Sequence, residues 1–250
     1  MRKILIFSAL VFALWGCCIK EDRSGCPANV HLSLSDRALY IAGNKPVKVR
    51  LGDGTRTSTV TLSAYSPDCW ESVERGVLSV SGILDNGAGT IVAMGGQSDS
   101  LWAFSGDHVV VCEEEEIVLD LHKRFATIYI TFDEGIDTGR YRIMVLGDIG
   151  GTDLTRMTPV EGDFICELAV EDHSSSVRVP AQGPGSGLKL QFSDLATGEI
   201  SWDWDLAAEL AAKGYDWNAD DLEDIRVTVK LLPMELSITF GNWSDGGSVG

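Results

Sequence analysis

The sequence predicts an all-β protein, and three observations carry that reading. Apolar and polar residues alternate over many short stretches, the period of a strand with one buried face. Turn-forming residues separate these stretches at intervals of roughly 8 to 12 positions, the spacing of an antiparallel sandwich or barrel. A single segment, near the C-terminal end, combines helical composition with both caps.

In order, Val30, Leu32 and Leu34 alternate with polar neighbours, as do Val47, Val49 and Leu51, then Val60, Leu62 and Ala64. Ala42-Gly43-Asn44, Gly52-Asp53-Gly54 and Ser66-Pro67-Asp68 supply the turns between them. Further strands are expected at Val77 to Leu84, Thr90 to Met94, Leu101 to Phe104 and His108 to Cys112, with Asp85-Asn86-Gly87, Gly95-Gly96 and Ser105-Gly106-Asp107 as breaks. The run Glu113 to Glu116 reads as a solvated connection or charged edge, with a junction between two domains just beyond it, near Leu121. The second half opens on Ala126, Ile128, Ile130 and Phe132 facing one way, with Thr127, Tyr129 and Thr131 opposite. Strands follow at Tyr141 to Leu146, Phe164 to Val170, Ser176 to Val179, Leu188 to Phe192 and Ile200 to Trp204. Asp203 or Asp205 caps a helix over Leu206 to Lys213, and Gly214 stands where a left-handed residue ends it. Ile225 to Leu231 and Leu236 to Phe240 make the last two strands, the latter closing on Trp243, and Ser244 to Gly250 form a loose tail.

The N-terminus states an address. Arg2 and Lys3 precede a nearly unbroken apolar run from Ile4 to Trp15, which as a helix spans only about 18 Å. That is too short for a bilayer core of about 30 Å and fits a secretory leader. Leu14-Trp15-Gly16-Cys17 matches the lipobox of bacterial lipoproteins, so Cys17 is the expected lipid-bearing residue, with Cys18 as the alternative. Two or three acyl chains hold a protein in its membrane for practical purposes indefinitely. Lys20-Glu21-Asp22 then resembles the signal that directs Bacteroidetes lipoproteins to the outer face of the outer membrane.

The division expected is a leader at 1–16, a lipidated tether at 17–26, and sandwiches at 27–121 and 122–250. The formal charge of −17 becomes −19 once the two leader cations are removed. Such a surface repels phosphate backbones, which argues against nucleic acid as a partner. Besides Cys17 there are Cys18, Cys26, Cys69, Cys112 and Cys166, none in a zinc-ligand spacing. A Cys69–Cys112 disulfide is open to an exported protein.

Several segments in order carry a resemblance: the lipobox cysteine, Glu21 to Pro27, Leu121 to Phe132 (LHKRFATIYITF), Phe192 to Ile200 (FSDLATGEI) beside a short helix, and a last strand pair closing on Asn242-Trp243. Together they resemble the FimB-type fimbrial anchor subunits of Bacteroidetes. The resemblance implies two transthyretin-like β-sandwich domains with one short helix in the second. It also implies lipid attachment at the outer membrane, a place at the base of a type V pilus, and other fimbrial subunits as partners through β-strand addition, as donor or acceptor. Arg37 and Arg56 fall in expected loops and are read as ordinary loop arginines, not as processing sites.

Enzyme signatures mostly fail in the sequence. His31, His108, His122 and His173 lack any paired spacing, and there is no Walker loop. Gly183 to Gly187 leads into a strand, so it reads as a loop and not a phosphate cradle. Asp216, Asn218 and Asp220 are spaced like the first ligands of an EF-hand, but Asp221 and Val227 stand where that pattern needs Gly and Glu. They are a weak calcium candidate, and no cofactor is expected. The competing reading is a surface glycan-binding lipoprotein, for which Trp202, Trp204 and Trp217 would form a stacking platform in place of core. A glycoside hydrolase is more remote, since no carboxylate pair is marked by its neighbours.

Overall fold

The computed structural model describes residues 26–84, 98, 100–153, 156–183, 185–230 and 235–241. Cys17, Cys18, the strand expected at Thr90 to Met94, Trp243 and the tail lie outside the described residues.

The N-terminal half folds as β1 (Ala28–Leu34), α1 (Asp36–Ala42), β2 (Val47–Gly52), β3 (Thr57–Leu62), β4 (Asp68–Val73), β5 (Gly76–Leu84), β6 (Trp102–Val110), β7 (Glu114–Leu119) and the short β8 (His122–Lys123). The C-terminal half continues with β9 (Phe125–Phe132), β10 (Tyr141–Asp153), β11 (Thr158–Glu167), β12 (Ser174–Pro180), β13 (Lys189–Asp194), β14 (Ile200–Asp205), α2 (Leu206–Ala212), β15 (Asp224–Lys230) and β16 (Glu235–Gly241).

Each half is a sandwich of two sheets. In the first, the order β4-β1-β7 faces β3-β2-β5-β6-β8; in the second, β12-β9-β15-β16 faces β11-β10-β13-β14. The strands β1 to β7 and β9 to β15 therefore trace the same path. In both, the opening strand lies between an antiparallel neighbour (β4, β12) and a parallel one (β7, β15). These parallel pairs depart from the wholly antiparallel sheets expected. Both β7 and β15 return to the opening sheet from the facing one, so they can lie alongside its first strand without a hairpin.

Alternation builds the cores. Val30 and Leu32 of β1, Val47 and Val49 of β2, Leu78 of β5 and Ile117 of β7 fill one cluster. Ile128 and Ile130 of β9, Val145 of β10, Leu190 and Phe192 of β13 and Val227 of β15 fill the other.

The first half also contains a helix that was expected only in the second. Ser35 caps α1 by accepting a hydrogen bond from Ala38 N at 2.9 Å, and Gly43 closes it at φ 56°. Arg37 therefore sits on a helix, not in a loop, whereas Arg56 is in the β2–β3 turn. Ser105-Gly106-Asp107 is not a break either. It pairs with Ser79 to Ser81 of the nine-residue β5, and the Ser79 hydroxyl donates to Asp107 at 2.6 Å, so β6 runs through. In α2 the cap is Asp205, whose carboxylate accepts from Ala208 N at 2.9 Å, and Gly214 follows at φ 83°.

Cys26, Cys69, Cys112 and Cys166 are free thiols. The register explains why no Cys69–Cys112 bond forms: Cys69 pairs with Leu32 near one end of β1, whereas Cys112 precedes β7, whose Glu114 pairs with Asn29 near the other.

Candidate functional site

Overlaying the two strand paths leaves one difference at the same place in both. In the second half β16 pairs antiparallel with β15 over seven positions, from Asp224 with Gly241 to Lys230 with Glu235. Beside β7, the counterpart of β15, no further strand pairs among the described residues. The outer side of β7 is thus an open edge, with a row of backbone groups available to another strand.

The chemistry of that edge comes from the four glutamates, which form the charged edge and not a free connection. Glu115 folds back so that its carboxylate accepts from Val111 N at 2.9 Å and Cys112 N at 3.1 Å, and these two amides hold its carboxyl below the usual range. Glu113 lies 4.0 Å from Arg75. Glu114, Glu116 and Val118 point outward, with Val118 60% exposed, while Ile117 and Leu119 enter the core. Across β1, His31 stacks on Trp70 at 4.7 Å and approaches Asp68 at 3.3 Å and Glu116 at 3.8 Å. The open edge therefore presents acids and one valine.

A second constellation joins the halves. Asp221 accepts from Arg37 at 2.7 Å and from Lys123 N at 2.8 Å, and lies 3.3 Å from His122. Burial pushes its carboxyl up, but the Lys123 amide, Arg37 and His122 together outweigh that and hold it below the usual range. Arg37 also reaches Asp120 at 3.2 Å, and Ser35, the α1 cap, donates to Asp120 at 2.8 Å. A single helix thereby touches both halves.

The remaining expected residues disperse. Asp216, Asn218 and Asp220 are exposed, and the Asp216 side chain is used to accept from Asn218 N at 2.9 Å. Among the described residues no three His, Cys, Asp or Glu side chains converge on a metal position. Trp202 and Trp204 stack on each other and meet Phe192 edge-on, and Trp217 is buried against Tyr215. The tryptophans therefore contribute to the core. The described part of the Gly183–Gly187 loop is tied by Gly187 N to Asp148 at 2.8 Å and leads into β13.

With both sandwiches and the β7 edge defined, the molecule is an all-β protein built of two β-sandwiches with short helices. Solved structures share this fold along nearly their whole length. The fimbrial anchor protein Mfa2 from Porphyromonas gingivalis superposes with a TM-score of 0.58 at 13% identity, covering 87% of this chain and 98% of the other. A candidate polysaccharide-binding protein from Bacteroides thetaiotaomicron gives 0.60 at 9% identity over 88% and 99%. A candidate adhesin from Bacteroides ovatus gives 0.56 at 12% identity over 88% and 95%. No family model and no curated protein matches the sequence.

Proposed function

We propose that this chain is a lipid-anchored subunit of the outer membrane, displayed at the cell surface. There it holds the base of a type V pilus and engages a stalk subunit by β-strand addition. The observation that supports this most strongly is the unequal completion of two like-built sandwiches. A strand from a neighbour, laid antiparallel to β7, would occupy the place that β16 takes beside β15. Such a strand would satisfy the edge amides and carbonyls of β7, and basic residues in it would complement Glu114 and Glu116. The fold shared with Mfa2 fits the same role.

The lipid is assigned to Cys17, with Cys18 as the alternative, ahead of a tether at 17–26 and domains at 27–121 and 122–250. No catalytic role is proposed. The glycan-platform reading has less support, because the tryptophans it needs pack against Phe192 and Tyr215.

Electron microscopy of cells and supernatant, in a strain that makes such pili, tests the assignment. The Cys17→Ala, Cys18→Ala double variant should leave pili in the medium and few on cells, because no described core residue lies in the tether. Unchanged surface pili would contradict it.

A further inference from the structure

A polar cleft of about 440 Å³ lies between the outer face of the five-stranded sheet and Arg156, at the base of the β10–β11 turn. That volume is within the range of small-ligand sites. The strand register lays out its floor. One row across the sheet runs Arg50, Ser81, Ser105, and the next runs Gly52, Ser79, Asp107. Outward positions on a solvated sheet commonly carry branched or long side chains that cover the backbone. Here serines and Gly52 leave a hollow, with Arg50 at one side and Arg156 above. Beyond the cleft, Ile83 and Met157 pack against Leu101 and Ala103, which fixes the hairpin over the sheet.

The two arginines stand apart from those engaged in ion pairs. Arg37, Arg140 and Arg142 are each held by carboxylates. Neither Arg50 nor Arg156 has an ion-pair partner among the described residues, and both are exposed. A pair of guanidinium groups on a surface of formal charge −17 is a local reversal of sign. The floor strands β2 and β5 are paired on both sides, so their backbone is spent and a ligand meets only side chains. Those side chains offer guanidinium forks and hydroxyl groups. This set suits a carboxylate carried on a polyhydroxylated ring better than it suits a peptide, which needs backbone partners.

We infer that this cleft binds an acidic sugar, with Arg50 and Arg156 holding its carboxylate and Ser79, Ser81 and Asp107 meeting its hydroxyls. Because no aromatic residue lines the cleft among the described residues, charge and hydroxyl contacts select the ligand, and binding weakens as salt rises. The inference is independent of the pilus reading and of the β7 edge.

Titration of the full mature chain by ligand-observed NMR tests it, using 3′-sialyllactose and trigalacturonate as probes and lactose as the neutral control. Binding of either acidic probe, at least tenfold tighter than lactose, is expected, and the stronger of the two identifies a sialic or a uronic acid. Arg50→Ala and Arg156→Ala should each weaken it at least tenfold with melting temperature unchanged, since both side chains are exposed. Equal binding of lactose would overturn the inference, as would acidic-probe binding that both variants retain, or binding to neither acidic probe. Displacement of the probe by sodium sulfate or a glutamate-rich peptide at equal concentration would overturn it too, by showing a bare anion contact.

Discussion

The two sandwiches follow one strand path but end differently. In the C-terminal one, β16 covers the outer side of β15, with Ile238 buried and Leu236 and Phe240 packed on the core, Phe240 against Tyr215 at 5.1 Å. In the N-terminal one, the chain leaves β7 and crosses at once to β8, so among the described residues the equivalent side has no partner strand. The outward residues differ accordingly. Ser237 and Thr239 are neutral on β16, whereas Glu114 and Glu116 guard β7. Acids on an edge discourage pairing with chance partners while leaving the edge usable by a basic strand. One topology is thus completed by β16 in one half and left with an unpaired edge, among the described residues, in the other.

That comparison breaks most directly by removal of β16. Truncation before Leu236 deletes three core-packed apolar side chains and a complete ladder. The loss should exceed the roughly 5–15 kcal/mol that a domain has in hand, and circular dichroism should show the second sandwich unfolded. A truncated protein melting like the full chain would mean that β16 is dispensable and the two halves are not unequal.

Next come the matched central strands. Leu32→Ala in β1 and Ile130→Ala in β9 remove fully buried side chains from equivalent strands. Each should cost about 2–5 kcal/mol in denaturant unfolding; a near-zero effect at one of them would show that its sheet is not a real core layer.

A smaller effect is expected at Gly82. A Cβ there would lie 2.2 Å from Phe104, so Gly82→Ala forces that ring to move and should cost about 1–3 kcal/mol. Phe104→Ala in the same chain should relieve the clash and make the combined loss less than additive.

The smallest effects are electrostatic. Asp53 in the β2–β3 turn accepts from Arg56 N, Thr55 N and Glu74 N, and these bonds, the first foremost, lower its carboxyl to about 2. Asp221 is lowered as well, by Lys123 N, Arg37 and His122 against the opposing pull of burial. Carboxylates depressed in the folded state contribute stability that is present above their unfolded value near pH 4 and lost as pH falls through the folded one. Melting temperature should therefore drop between about pH 4 and pH 2, and Asp53→Asn should flatten that drop. Asp221→Asn, which weakens a half-exposed clasp, should cost about 1 kcal/mol at pH 7. It should also lower the unfolding cooperativity between the halves, read by calorimetry.

Most strands were legible because alternation survives wherever one face is buried, as at Val47 to Leu51 and Ala126 to Phe132. The helix α1 was legible in principle from Ser35 and Gly43, but Gly43 also reads as a turn and the helix is only two turns long. β4 was hidden because only Val73 of its inward residues is strongly apolar, Cys69 and Glu71 being the others, and β7 because its first half is glutamate. A repeat also lay in the sequence: Asp53-Gly54-Thr55-Arg56 and Asp153-Leu154-Thr155-Arg156 stand between equivalent strands, and both Asp53 and Asp153 accept from the amide three residues on. The open edge itself had no local signal, since it is defined by a strand that has no counterpart among the described residues of the first half. The cleft at Arg50 and Arg156 was equally invisible, because it joins residues from different halves.

The proposed pairing of β7 with a strand from a fimbrial neighbour can be read directly in cells. The direct measurement places a photo-crosslinking phenylalanine analogue at Val118 on β7, or at Thr239 on β16, in piliated cells, and identifies adducts by mass spectrometry. An adduct is expected between position 118 and another fimbrial subunit, mapping to an apolar strand with basic residues, and none from position 239. An adduct from 239 with none from 118 would contradict it.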